Sequence, residues 1–389
     1  MRLSLFGLVA AAFLLGACNE PPQTSTPAGP TTTKTAAAGS PVTASGKMRI
    51  ALLLPLTGRA ASIGQSLQQA AEMSLFDSGA KELALAAYDS GETAETAVEA
   101  YRKARTDGAA LVLGPLFGTS ATALAPLVAQ GGANVVSFSN DEQAAQRGVW
   151  IMGIAAPPQV RRVVDHAVDA GIKRFAAFAP QTPYGQQMVQ TLESQVVQRG
   201  GTVASVELFD PNSADLVTAA RRLTSATRGE DKLAVLVPVA PPRLSAALAA
   251  LAAAGIDNKS VQLIGTGVWD IPNIGSEAML RGAWYAAPDP ARRADFERRF
   301  LSTYGRPPHR LATLAYDGVA LAGHLARLKP GGDFSAEAIT NPNGWSGVDG
   351  IFRLLPNGRN ERALAVIAVQ GAQGVVVSPA PTSFVKPVN

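Results

Sequence analysis

From residue 48 to residue 265 short apolar runs alternate with helical patterns, and that alternation leaves few folds open. Met48–Leu54 is an almost purely apolar run stopped by Pro55-Leu56-Thr57-Gly58, as expected of a parallel strand covered on both faces. Ile63, Leu67, Ala70, Ala71 and Ser74 then recur at helical spacing. Residues 83–88 read as the next strand, ending at Asp89-Ser90, and Ala94–Thr106 as the next helix. Strands at 109–113 and 134–138 flank a third helix. Repeated βα units of this kind imply an α/β fold built on a doubly wound parallel sheet.

The unit over residues 109–140 carries the first candidate site. Gly114-Pro115 breaks its strand, Thr119 and Ser120 are suitable helix caps, and Leu124, Leu127 and Val128 form the helix's inner face. The following strand delivers Ser137 and Ser139 to the same rim. Ligands of open α/β sheets sit at the carboxyl ends of the strands, where a helix N-terminus offers free N–H groups to a carboxylate. The plain alternative is an ordinary βαβ unit whose hydroxyls serve only as caps.

The rhythm restarts at residues 150–154. Val160, Val163, Val164 and Ala167 line a helix, 175–179 is a strand, and Met188, Leu192 and Val196 line another helix. A strand at 203–208 and a helix marked by Leu216, Ala220 and Leu223 follow. Strands at 233–238 and 261–265 then enclose an alanine-rich helix. Two series of similar size predict two lobes, each with its own sheet; 389 residues exceed the ~250–300 at which one core stops growing. Helices follow at about 291–304 and 310–328. The end, 351–355, Pro356-Asn357-Gly358, 363–369 and 375–377, reads as an antiparallel meander.

Met1-Arg2 followed by an apolar run over 3–15 is a signal-peptide core, since a membrane-spanning helix needs ~20 residues. Leu15-Gly16-Ala17-Cys18 resembles a bacterial lipobox, which makes Cys18 the lipidated first residue of the mature chain and its membrane anchor. Asn19-Glu20 lacks the Asp associated with inner-membrane retention, so the outer membrane is the expected location. Residues 19–46 are Pro, Thr, Ala, Ser and Gly with almost no large apolar side chain. They cannot bury enough surface to offset their ordering entropy, and are expected to form a flexible tether.

Much chemistry is excluded. The net charge of +4 is spread along the chain without a basic stripe, so nucleic acid is not an expected partner. His166, His309 and His324 lie far apart and Cys18 is the sole cysteine, so no metal cluster is expected. No G-x-S-x-G elbow or Walker loop occurs, and Gly265-Thr266-Gly267 lacks the third glycine of a dinucleotide site. Asp89 and Asp317 are candidate site acids, with local backbone bonding or solvation as the plainer role; Trp269 and Trp345 are candidate cleft aromatics, with core packing as theirs. No catalytic residue and no cofactor are expected.

Several stretches together resemble the leucine-binding-protein type of periplasmic solute-binding protein, the type I fold. They are Leu54-Pro55-Leu56-Thr57-Gly58 with Gly64, Leu113-Gly114-Pro115, Pro183-Tyr184-Gly185, Tyr304-Gly305, Ala315-Tyr316-Asp317-Gly318, and Gly347-Val348-Asp349-Gly350 before Pro356-Asn357-Gly358. The resemblance covers roughly residues 47–377. It implies two lobes joined by three crossovers near 140–156, 272–288 and 344–350, with a ligand cleft that closes by a hinge. Lobe 1 is then about 47–150 and 275–345, lobe 2 about 151–274 and 346–379, and 380–389 a tail.

The pocket implied by the resemblance is altered. The family's carboxylate-binding Ser falls at Gly118, with Thr119 and Ser120 adjacent; Ser137 and Ser139 match its second hydroxyl group, and Tyr184 matches its far-lobe tyrosine. Its acidic partner for a ligand ammonium falls at Thr266, with Asp270 nearby. An ammonium buried without a counter-charge is costly, so this loss matters more than that of one hydroxyl. Leu52-Leu53-Leu54-Pro55-Leu56-Thr57-Gly58 and Gly114-Pro115-Leu116 also resemble outer-membrane lipoproteins that activate class A penicillin-binding proteins. Two roles therefore stand side by side. One is a non-catalytic, lipid-anchored regulator of peptidoglycan synthesis docking on such a synthase. The other is a solute-binding protein that delivers branched-chain or other amino acids, as its small amino-acid-like ligand, to the ABC permease of an importer.

Overall fold

The computed structural model describes residues 43, 46–226, 232–371 and 373–384. The expected signal peptide, Cys18 and all but two positions of the expected tether lie outside the described residues. Among the described residues the strands form three sheets.

The first is wholly parallel. It takes β1 (Met48–Leu54), β2 (Leu83–Asp89), β3 (Leu111–Leu113), β4 (Asn134–Ser137) and β5 (Val149–Ile151), in the order β2-β1-β3-β4-β5. The helices α1 (Ala61–Asp77), α2 (Ala94–Thr106) and α3 (Gly118–Ala129) make its crossovers. β1 is internal, pairing Met48 with Leu83 on one side and Ile50 with Leu111 on the other. Its period-two alternation therefore feeds two cores. Ile50, Leu52 and Leu54 pack under one face, and Ala51 and Leu53 under the other with α2 and α3. Side chains of this size contribute roughly 1.5–3 kcal/mol each when fully buried, which is why a run so uniformly apolar has to be central.

The second sheet is built from α4 (Ala156–Asp169), β6 (Arg174–Pro180), α5 (Pro183–Gln198), β7 (Thr202–Phe209), α6 (Val217–Leu223), β8 (Leu233–Leu236), α7 (Arg243–Ala253), β9 (Gln262–Gly265) and β10 (Trp284–Ala287). The chain then returns to the first lobe. α8 (Pro290–Tyr304) places Phe296 and Phe300 on α1, and α9 (Ala312–Arg327) buries Leu314, Val319 and Leu325 beneath the first sheet. After the short α10 (Ala336–Ile339) come β11 (Trp345–Gly347), β12 (Gly350–Leu354) and β13 (Asn360–Arg362), a small antiparallel sheet. The chain finally crosses back as β14 (Ala365–Gln370) and β15 (Gln373–Ser378). These two extend the second sheet to the order β15-β14-β10-β9-β8-β6-β7.

The two-lobed, doubly wound α/β architecture is as expected; its boundaries need correction. Residues 149–151 do not open the second series but close the first sheet, because Val149, Trp150 and Ile151 are buried between the two first-lobe cores. Trp284–Ala287, expected in the first lobe, pairs with β9 and β14 in the second. Residues 350–354, expected in the second lobe, bury Phe352 and Leu354 in the first-lobe core. The third crossover thus falls at 362–365 rather than 344–350. The closing strands are divided between two sheets, β11–β13 in a three-stranded one of their own and the β14–β15 hairpin on the second sheet, and do not form one meander. The tail also returns to the body, with Phe384 stacked 4.9 Å from the Arg353 guanidinium.

Two crossovers are tied together by side chains. Asn360 Nδ2 donates to the carbonyls of Ile151 (2.7 Å) and Gly153 (2.8 Å), and the buried Arg362 donates through Nε and Nη2 to the carbonyl of Met152. Buried carbonyls of a crossing strand have no ladder to pair with, and these side chains supply the missing donors.

Candidate functional site

A cavity of about 190 Å³ lies between the lobes, at the carboxyl ends of β4, β6, β9 and β10. This is where an open α/β sheet presents its ligands, although the volume is small against the roughly 300–1,000 Å³ usual for drug-sized molecules. The first lobe contributes Asn140, Arg310 and Leu311 to its wall. The second contributes Ile154, Gln159, Tyr184 and Asp270.

Each of these side chains is held by its own element. Tyr184 stands in the first turn of α5, behind the Thr182 cap whose hydroxyl accepts from Gly185 N–H. Its phenol is 2.8 Å from the Thr266 hydroxyl, and burial raises it above the usual phenol range while that hydrogen bond opposes the shift. Thr266 is itself fully buried, so it faces Tyr184 rather than open cavity. Gln159, on α4, accepts from Gly267 N–H at 2.5 Å and donates to the Ala155 carbonyl, which fixes the loop after β9.

Asp270 ends that loop. Its Oδ2 lies 3.3 Å from Arg310 Nε and 3.4 Å from Arg293 Nη1, so this second-lobe carboxylate is shared by two first-lobe guanidiniums. Asp349, wholly buried, faces the same pair: Arg310 Nη1 is 3.3 Å and Arg293 Nη1 3.8 Å away, and Thr313 donates to it at 2.6 Å. Burial works against the Arg293 charge. The carboxylates of Asp270, Asp349 and Glu297 outweigh it and hold the guanidinium above its ordinary range.

The hydroxyls on the opposite wall are engaged elsewhere. Ser137 donates to the Pro115 carbonyl at 2.8 Å and accepts from Ser139 N–H, while Ser139 accepts from Asp141 N–H at 3.0 Å. Ser120 donates to the Thr93 carbonyl, and Thr119 is exposed on the first turn of α3. Neither residue caps α3: its N-cap is Phe117, without a side-chain cap bond. Of the seven expected residues, Tyr184 and Asp270 stand on the cavity wall, and Thr119, Ser120, Ser137, Ser139 and Thr266 do not. A further carboxylate accounts for the change. A Cβ on Gly118 would lie 2.7 Å from Asp141 Oδ2, so the missing side chain makes room for Asp141 at the N-terminal end of α3. That end of a helix favours negative charge, and here the chain brings its own.

The remaining candidates have structural roles. Asp89 accepts from Leu56 N–H, Gly91 N–H and the Thr57 hydroxyl, and these bonds hold it below the usual carboxylate range despite some burial. Trp269 is core, with its indole N–H on the Val239 carbonyl, and Trp345 packs against His324. Asp317 is buried on α9 and accepts from Val348 N–H, so it is not solvated. Asn140, Gln159, Arg293, Arg310 and Asp349 were not singled out from the sequence. The only local signal was the Gly-Val-Asp-Gly turn holding Asp349. Among the described residues no helix is long and apolar enough to cross a membrane.

Two doubly wound lobes, three crossovers and a cleft at the strand ends define a two-lobed binding protein of the leucine-binding-protein-like, type I kind. The chain belongs to the periplasmic-binding-protein family, whose model matches residues 47–374. Solved structures agree in fold. A Rhodospirillum rubrum protein assigned to a branched-chain amino acid ABC transporter superposes with a TM-score of 0.76 at 19% identity, covering 85% of this chain and 100% of its own. The leucine-binding protein of Thermotoga maritima gives 0.60 at 18% identity, covering 85% and 98%. A Rhodopseudomonas palustris solute-binding protein in complex with 3,4-dihydroxybenzoic acid gives 0.60 at 18%, covering 86% and 96%. An uncharacterised protein of Rickettsia prowazekii is 22% identical over 179 residues, 46% of this chain. The match spans about half, 48%, of the length of that curated relative.

Proposed function

We propose that this chain is a non-catalytic, lipid-anchored periplasmic protein that regulates peptidoglycan synthesis by docking on a class A penicillin-binding protein. The observation that carries the reading is the carboxylate of Asp141 at the N-terminal end of α3, beside Gly118. In an amino-acid carrier that end receives the ligand's carboxylate; here a second anion would meet a like charge and find the nearby serines already bonded. The family's ammonium partner is replaced by Thr266, whose hydroxyl is turned to Tyr184. A binding fold with its amino-acid site dismantled, behind a lipobox at Cys18 and a long tether, suits a protein that works through its outer surface.

Purified chain is expected to retain class A synthases of its own cell in a pull-down and to change their glycan polymerisation rate. Absence of both binding and rate change removes the reading. The second reading, delivery of an amino acid to an ABC permease, is favoured by the residual cavity with Tyr184, Asp270 and Arg310 on its walls. A thermal-shift screen separates the two. A ligand at 100 times its Kd stabilises a fold by about 2.7 kcal/mol, and no amino acid is expected to raise the Tm. One that does so transfers the assignment to transport.

A further inference from the structure

The family's hinge has a feature here that neither role accounts for: four charged side chains from four separate segments meet across the lobes. We propose that Asp270, Arg293, Arg310 and Asp349 form a ligand-independent clasp that holds the cleft at one angle. Asp270 is the second lobe's share, at the end of the loop after β9. Arg293 on α8, Arg310 before α9 and Asp349 in the β11–β12 turn are the first lobe's.

The double pairing of Asp270 gives the clasp its direction. With the lobes as they stand, three carboxylates, Asp270, Asp349 and Glu297, face two guanidiniums, and the side chains of Asp270 and Arg293 are only 15% and 11% exposed. Swinging the lobes apart would take Asp270 from both arginines at once. Arg310 would keep only Asp349, Arg293 would keep Glu297 and the more distant Asp349, and Asp270 would be left on the other side without either guanidinium. Taking one partner from a buried charge set is disfavoured where the charge left behind stays buried, and Arg293, 11% exposed on the first lobe, would lose one of its three carboxylates. Asp349 cannot move to follow, since it is fully buried and fixed by Thr313. The ties from Asn360 and Arg362 to residues 151–153 stiffen two of the three crossovers about which any opening must turn.

A ligand shifts an open–closed equilibrium only by its differential affinity for the two states. A cleft already clasped leaves a ligand little to shift, whichever partner the protein serves. The inference is therefore independent of the docking assignment, and its test uses no partner.

Distances between fluorophores at Thr119→Cys on α3 and Gln186→Cys on α5 report the lobe angle in the full chain carrying Cys18→Ser. A single narrow population without any ligand is expected. Asp270→Asn keeps the shape of the side chain and removes its charge, and is expected to raise the longer-distance population about tenfold or more. Arg310→Gln, at a half-exposed position, is expected to act in the same direction, and decides the matter should Asp270→Asn fail to show a cooperative melt. Two comparable populations in the parent chain, or an unchanged single population in folded Asp270→Asn or Arg310→Gln, overturns the clasp.

Discussion

Gly114→Ala is expected to lower the free energy of unfolding by about 2–5 kcal/mol, read as a fall in the urea midpoint with unchanged slope. Two costs add. Gly114 has φ +93°, a backbone conformation that charges an alanine roughly 1–2 kcal/mol. Its Cβ would also stand 2.1 Å from the Leu53 carbonyl oxygen, which belongs to the central strand β1 and cannot yield without disturbing the sheet. Forcing a methyl into such a place typically adds about 1–3 kcal/mol. Gly171→Ala is the control. It has φ +89° and nothing within 4 Å of the added carbon, so only the conformational cost applies. Equal losses in the two variants would mean that the turn at the end of β3 does not press on β1 as described. The position matters for the cleft, because the Pro115 carbonyl that follows accepts both Ser137 Oγ and Phe138 N–H and so sets the rim below Asn140.

The fold was largely legible because its strongest signals are local. Met48–Leu54 and Ala94–Thr106 were read with the bounds they have, the first from its unbroken apolar run and the second from apolar residues at helical spacing. What escaped was strand membership. Trp284-Tyr285-Ala286-Ala287 is four residues long and follows a stretch of short 3-10 turns, so no period could form. The sheet it joins is decided by β9 and β14, one upstream and one about eighty residues downstream. The same holds for Phe352 and Leu354, whose alternation marks a strand but not the lobe that buries them.

The site was less legible, for a related reason. Tyr184 and Asp270 were found through the family resemblance, the first as the match to its far-lobe tyrosine and the second as the carboxylate near the place of its acidic partner, and both stand on the cavity wall. Ser137, Ser139 and Ser120 are equally well placed, and only coordinates show their hydroxyls spent on backbone carbonyls and N–H groups. Gly118 was noted as a departure from the family; that Asp141 fills its space is a contact across twenty-three positions. Asp270, Arg293, Arg310 and Asp349 are spread over eighty residues, and nothing local pairs a carboxylate with a distant guanidinium.

Asp317→Asn is expected to flatten part of the pH dependence of stability and to leave the protein more stable than its parent at pH 8. Asp317 is 2% exposed, its Oδ1 accepts from Val348 N–H at 2.8 Å, and its Oδ2 finds no partner among the described residues. Burial pushes this carboxyl up to about 7, against the pull of the Arg362 guanidinium and with some help from the charge of Asp349. Between its unfolded value near 3.8 and that folded value, the native state holds a proton that the unfolded chain has released. Stability is therefore lost as pH rises from about 4 to about 7 and is level above, a total of order 4 kcal/mol at about 1.4 kcal/mol per unit. Asparagine keeps an oxygen for Val348 and carries no charge at any pH, so the variant should lack this component. Other groups contribute their own slopes, and the difference between parent and variant, measured by urea unfolding at pH 5 and pH 8, isolates this one. A difference that stays constant between the two pH values would show that Asp317 is already ionised at pH 5, and that Arg362 compensates for its burial.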